Sequence, residues 1–123
     1  GRWMRAVGGI PVDRAAPQGI VEAMVRRFAD ARERGELCWL ALSPEGTRSY
    51  RDHWRSGFYR VALAAGVPVG IATLDWGRRT IDLRRFVALS GDPAADLAQI
   101  ASHLQGVRGR RPELAAPVTL ASP

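Results

Sequence analysis

Lysine is absent from this chain of 123 residues, and cysteine and histidine are scarce. All 18 basic residues are arginine, set against 12 acidic ones, for a net charge of +6. Cationic contacts therefore fall to a planar, bidentate donor that suits phosphate better than a point charge does. The balance favours anionic partners such as phospholipid surfaces, nucleotides or nucleic acid. The single cysteine, Cys38, excludes an internal disulfide and fits a reducing compartment. Two histidines and one cysteine have no ligand spacing, so no metal is expected. No apolar run reaches the length of a membrane span, no signal peptide is visible, and there is no internal repeat or low-complexity tract. The chain also lacks an initiator methionine. It opens "GRWMRAVGG" and enters what reads as mid-structure, so an upstream part is expected to be missing.

What is present fits one small domain, and an apolar share of 46% excludes global disorder. Residues 2 to 7 read as the end of a helix closed by Gly8 and Gly9, and 10 to 12 as a short strand. From Pro17 to Arg34 the pattern is helical: Ile20, Met24 and Phe28 fall four apart, and Gly35 stops the run. "LCWLAL" (37 to 42) is continuously apolar and short, which predicts a buried strand. A second helix is predicted over His53 to Ala65, with Asp52 as N-cap, Gly66 as its end and Pro68 blocking a restart. Strands follow over 68 to 76 and 80 to 89, turned at Gly77, Arg78 and Arg79. Asp92 to Leu104 reads as a third helix, and 106 to 123 as a strap over the surface. This order predicts an α/β domain with a mixed, largely parallel sheet flanked by helices, in which 37 to 42 and 68 to 74 pair in parallel through a crossover helix.

The stretch "SPEGTRSYRDHWRSG" (43 to 57) lies between an apolar run and a helix. That is where α/β sheets bind ligands. Gly46 would let a ligand approach the backbone, Thr47 and Ser49 add hydroxyl donors, and Arg48 offers a fork for phosphate. The helix start that follows would favour an anion. Glu45 would orient Arg48 or accept from a substrate hydroxyl. A plain turn with Glu45 and Arg48 as a surface ion pair is the competing reading.

Four blocks in order carry a resemblance. "MRAVGGIPVDR" (4 to 14), "SPEGTRS" (43 to 49), "WRSGFYRVALAAGVPV" (54 to 69) and "RRPELAAPV" (110 to 118) are similar to the glycerolipid acyltransferase family, which includes the 1-acylglycerol-3-phosphate acyltransferases. The likeness runs over nearly the whole chain. It implies that Glu45, Gly46, Thr47, Arg48 and Ser49 hold the glycerophosphate end of the acceptor, with Arg14 as a second phosphate contact. Gly70 and Ile71 stand where the family often has a second proline, so this block departs from the pattern at its acyl-pocket end.

The family resemblance also implies a His–Asp relay in an H-x-x-x-x-D motif, with the His taking the acceptor's proton. His53 is followed five positions on by Phe58, and His103 by Arg108, so this chain contains no such pair. The relay would lie upstream of Gly1, which makes the 123 residues the acceptor-binding half of a shortened enzyme, inactive by that route alone. The implied donor is acyl-CoA or acyl carrier protein, with no further cofactor. The implied acceptor is lysophosphatidate-like, and the implied location is cytoplasmic, peripheral at the inner face of the cell membrane. Trp3 with Arg2 and Arg5 reads either as an interfacial anchor or as packing for a missing segment.

Other residues read more plainly. His53 and His103 are expected at the surface, and Cys38 as a packed thiol. Asp75 and Asp82 are expected to pair with Arg78, Arg79 or Arg84 rather than to act as a carboxylate pair. A basic phosphate- or nucleic-acid-binding module without catalysis is the alternative function. Scattered arginines without interleaved aromatics argue against nucleic acid, and none is expected as a partner.

Overall fold

The computed structural model describes residues 17 to 46 and 49 to 121. The expected helix end at 2 to 7, the strand at 10 to 12, Trp3 and Arg14 lie outside them. The chain divides into two compact units, 1 to 38 and 39 to 123.

In the first unit, helix α1 (Pro17–Glu33) occupies almost the whole predicted span. Met24 and Ala31 are its buried positions, and they fall on the stripe that the four-residue spacing marks out. The helix stops where expected. Gly35 takes φ +65°, and the Glu36 N–H reaches back to the Ala31 carbonyl at 2.8 Å, so carbonyls left over at the helix end find donors.

The second unit contains α2 (Gly57–Ala65), β1 (Val69–Asp75), β2 (Thr80–Val87), α3 (Pro93–Leu104) and a 3-10 turn at Pro112–Leu114. Helix α2 ends in a left-handed Gly66, φ +62°, with the Val67 N–H on the Ala62 carbonyl and the Gly66 N–H on the Leu63 carbonyl. That double bond pattern needs a positive φ, which glycine adopts without a Cβ penalty. Asp92 caps α3: its Oδ1 accepts from the N–H groups of Ala94 and Ala95 at 3.0 and 3.3 Å.

The sheet departs from expectation. Among the described residues it has two strands, β1 and β2, and they are antiparallel. Residues 37 to 42 form no ladder, and the parallel pairing of 37 to 42 with 68 to 74 is not found. Leu37 is 92% exposed and Trp39 67%. A continuous apolar run reports hydrophobicity but not which backbone groups pair. The hairpin prevails because β1 and β2 need only a tight turn, whereas a parallel pair must close a long crossover first. Asp75 helps shape that turn, accepting from the Arg78 N–H at 3.0 Å. A bulge between Ile71 and Thr73 sets Ala72 opposite both Leu83 and Arg84. Asp75 and Asp82 do pair with arginines: Asp75 with Arg78 at 3.6 Å, and Asp82 with Arg84.

The second helix also begins later than predicted. Asp52 does not cap it; its Oδ1 lies 2.6 Å from His53 Nδ1. Ser56 occupies the N-cap and makes no capping side-chain bond. Residue 54 is drawn away by the C-terminal segment. The Trp54 N–H donates to the Thr119 carbonyl at 2.7 Å, and Trp54 forms a parallel bridge with Leu120. Its N–H is thus committed before a helical turn can use it.

The core of this unit gathers Phe58, Tyr59, Ile71, Val87, Leu97 and Ile100, with Val118 and Leu120 of the terminal segment packed against it. Ile100→Val removes one methylene from a side chain only 2% exposed. A loss of about 1 kcal/mol is expected, to be read from urea unfolding of the two proteins. Inside the same core sits a carboxylate. Asp96 is 3% exposed and accepts from the Tyr59 hydroxyl at 2.7 Å, the Ser90 N–H at 2.9 Å, the Ser90 hydroxyl at 2.8 Å and the Gly91 N–H at 3.2 Å. One side chain therefore ties α2 and α3 to the turn that leaves β2.

No helix of the described residues is long and apolar enough to cross a membrane.

Candidate anion-binding site

The loop after residue 42 is a hydrogen-bonded turn built from Ser43, Pro44, Glu45 and Gly46. The Gly46 N–H donates to the Ser43 carbonyl at 3.1 Å. Serine first, proline second and glycine fourth suit a type I turn. Two long-range bonds fasten it. The Arg55 N–H donates to the Pro44 carbonyl at 2.8 Å, and the Ala116 N–H donates to Glu45 Oε1 at 3.1 Å. Glu45, expected to orient Arg48 or meet a substrate, thus holds the terminal segment against the loop.

Gly46 has φ +63°. A Cβ placed on it would stand 2.7 Å from Arg55 Nε and 2.9 Å from Arg55 Cδ. Arg55 therefore lies directly against the glycine face of the loop, which is possible only without a side chain there. Gly46→Ala is expected to push the Arg55 side chain away and to cost about 1 kcal/mol through the left-handed backbone. Thermal unfolding reads the cost, and the guanidinium NMR signal of Arg55 reads the displacement. Ser49 is exposed. Thr47, Arg48 and Arg14 lie outside the described residues.

Immediately after the loop, Arg51, His53, Trp54, Arg55, Ser56 and Ala121 line an open groove of about 310 Å³. Arg51 and Arg55 form no ion pair with a described carboxylate. Trp54 stands edge-on to Phe58 at 5.9 Å, which fixes its ring on the core. Its indole Nε1 is buried and has no hydrogen-bond partner among the described residues. The groove thus offers two guanidinium groups, a hydroxyl and an imidazole, a lining that suits an oxyanion.

Sequence reasoning placed His53 and Trp54 in the first turn of a predicted helix and gave Arg51, Arg55 and Ser56 no role. The signal was the spacing of Arg51, Trp54 and Arg55 straight after the glycine turn. Among the described residues, no three His, Cys, Asp or Glu side chains come together as a metal site.

No protein-family model matches this chain, and no curated protein or solved structure is significantly similar to it.

Proposed function

We propose that this chain binds the phosphate-bearing acceptor of an acyl transfer, as the acceptor half of a glycerolipid acyltransferase. The observation that carries the reading is the contact of Arg55 with Gly46. It sets a cationic groove against the very turn whose sequence resembles the family's glycerophosphate block. Glu45, Gly46, Thr47, Arg48 and Ser49, with Arg14, are the proposed acceptor contacts. The reaction would join the acceptor hydroxyl to the acyl carbon of an acyl-CoA or acyl carrier protein thioester, with the thiol leaving. Neither His53 nor His103 stands in an H-x-x-x-x-D pair, so the proposal gives this chain acceptor binding and not proton abstraction.

Peripheral contact with an anionic membrane at its cytoplasmic face belongs to the same proposal. The hairpin exposes Leu74, Ile81, Leu83 and Phe86, and Arg79 and Arg85 stand exposed on the same hairpin. Apolar side chains at headgroup depth with nearby cations suit such a surface.

The test is binding to vesicles that carry lysophosphatidate, compared with vesicles carrying neutral monoacylglycerol and with duplex DNA over a salt series. Preference for the lysophosphatidate vesicles is expected. Equal binding to both lipids would remove the acceptor reading. Retention on DNA alone, falling steeply with salt, would replace it with a nucleic-acid-binding module.

A further inference from the structure

We propose that the outward face of the β1–β2 hairpin lies flat on an anionic bilayer, with Trp76 and Arg110 as its anchor among the headgroups. The proposal rests on the peripheral-membrane reading above and deepens it. It names the face that meets the lipid, the residues that hold it there and the side of the sheet that stays away.

An antiparallel sheet with one side on a core normally turns polar side chains to water on the other. This hairpin does not. Its inward side carries the buried Ile71 and Val87, and α3 packs against both strands. Its outward row on β1 is Gly70, Ala72 and Leu74, alternate residues and all exposed. Leu74 pairs directly with Ile81 of β2. A Cβ on Gly70 would stand 2.9 Å from the Phe86 ring and 3.5 Å from Leu83 Cδ1, so Leu83 and Phe86 share that side. The bulge makes this possible. Strict alternation from Ile81 and Leu83 would bring Arg85 outward. The extra residue in β2 shifts the count, so Phe86 takes that place opposite Gly70 and Arg85 pairs with Ile71. Trp39 extends the patch, its ring centroid 6.3 Å from that of Phe86. With Ile81 78% exposed and Trp39 67%, this is the kind of contiguous apolar surface that marks a contact.

The charge around the patch selects its occupant. Both acids of the hairpin are committed, Asp75 to Arg78 and Asp82 to Arg84. Arg79, Arg85, Arg108 and Arg110 are exposed, and no described carboxylate forms an ion pair with them. A second copy of the chain would bring the same cations to the rim, and like charges repel. An anionic bilayer takes the apolar side chains at its interface and the cations at its phosphates. The tip of the hairpin is built for that depth. Trp76 follows Leu74 at the end of the outward row and is 56% exposed. Its backbone N–H donates to the Arg108 carbonyl at 2.8 Å, and the Arg110 guanidinium lies 5.5 Å from its ring centroid. An indole settles at headgroup level, apolar at one end and wet at the other. A guanidinium held over it brings a fork for the neighbouring phosphate.

The experiment uses the whole chain and two readouts. Co-sedimentation measures affinity for vesicles of phosphatidylcholine alone and of phosphatidylcholine mixed with phosphatidylglycerol. Cross-saturation NMR from the lipid chains of mixed bicelles to protein methyl groups reports which side chains touch lipid. The expected result is binding that needs phosphatidylglycerol and weakens with salt, with saturation reaching the methyls of Leu74, Ile81 and Leu83 but not those of Ile71 or Val87. Ile81→Asp and Trp76→Ala should each weaken binding to the mixed vesicles about tenfold or more. Arg110→Gln should weaken it more than Arg60→Gln, which removes the same charge from an exposed position of α2. All four positions are exposed, so the core is left intact. Unchanged binding in Ile81→Asp and Trp76→Ala, or saturation that reaches other methyls instead, overturns the docked face and leaves peripheral contact standing. Equal binding to both kinds of vesicle overturns the anionic surface as the occupant. Binding to neither overturns the proposal and removes the peripheral-membrane reading with it. A chain that ignores vesicles but forms a dimer lost in Ile81→Asp also overturns the proposal and gives the face to a second copy.

Discussion

Asp96→Ala is expected to lower the melting temperature by roughly 10 °C or more, since several coupled bonds are lost at once in a small cooperative unit. The carboxylate accepts from Tyr59, from both donors of Ser90 and from the Gly91 N–H, and it is 97% withdrawn from solvent by the 3% exposure of the residue. Alanine strands those donors and also leaves a void between α2 and α3. Tyr59→Phe removes only one of the donors, strands no hydroxyl and leaves the carboxylate its bonds from Ser90 and Gly91, so it should cost much less. Calorimetry on the two variants checks the order. A drop in Asp96→Ala no larger than that in Tyr59→Phe would show that the network is not what joins these elements.

The same network sets a pH signature. Burial on its own pushes the Asp96 carboxyl up, but the Ser90 N–H, the Tyr59 hydroxyl, the Ser90 hydroxyl and the Gly91 N–H together hold it below the ordinary value of 3.8. Unfolded chains then bind the proton first as acid is added. The stabilisation is complete above the ordinary carboxylate range and is lost as pH falls through the folded value. Tyr59 behaves oppositely. Burial, then the bond to Asp96 and its charge, push the phenol from 10.0 up to about 12. Its contribution is complete below pH 10.0 and is lost as pH rises towards about 12. Stability should therefore fall at both ends, and Tyr59→Phe should flatten the alkaline limb while leaving an acid limb. An alkaline limb unchanged in Tyr59→Phe would reassign it to other groups.

The second large effect concerns binding. Arg48→Ala is expected to weaken lysophosphatidate binding by about 2–3 kcal/mol, roughly 30- to 150-fold, because a charge-assisted bidentate contact would go. Arg60→Ala is the control, an equal loss of charge at an exposed position of α2. If Arg48→Ala and Arg60→Ala weaken binding equally, the effect is net charge and the loop is not the phosphate site.

The local signals served well where one turn of chain decides the outcome. The four-residue spacing of Ile20, Met24 and Phe28 with Gly35 behind it corresponds to α1 and its left-handed end. Gly66 before Val67 and Pro68 corresponds to the close of α2. The Gly77, Arg78 and Arg79 turn joins two antiparallel strands, and Asp92, where the third helix was expected to begin, sits at the start of α3. Each depends on groups within a few residues of one another, so residue type and spacing suffice.

Composition and spacing by themselves thus determined α1 and α3, the C-terminal ends of α1 and α2, the hairpin turn, the arginine-only positive charge and the glycine turn at 43 to 46. Only the tertiary structure decided which strands pair, where α2 starts and what surrounds the loop. The 37 to 42 run was apolar enough for a strand, but a ladder needs a partner edge and none forms there. Trp54 had the spacing of a helix face, but Thr119 and Leu120 claim its backbone. Glu45 reaches Ala116 across 71 positions and Tyr59 reaches Asp96 across 37. Bonds of that reach depend on how packed elements bring distant groups together, and they leave no period in the sequence from which to read them.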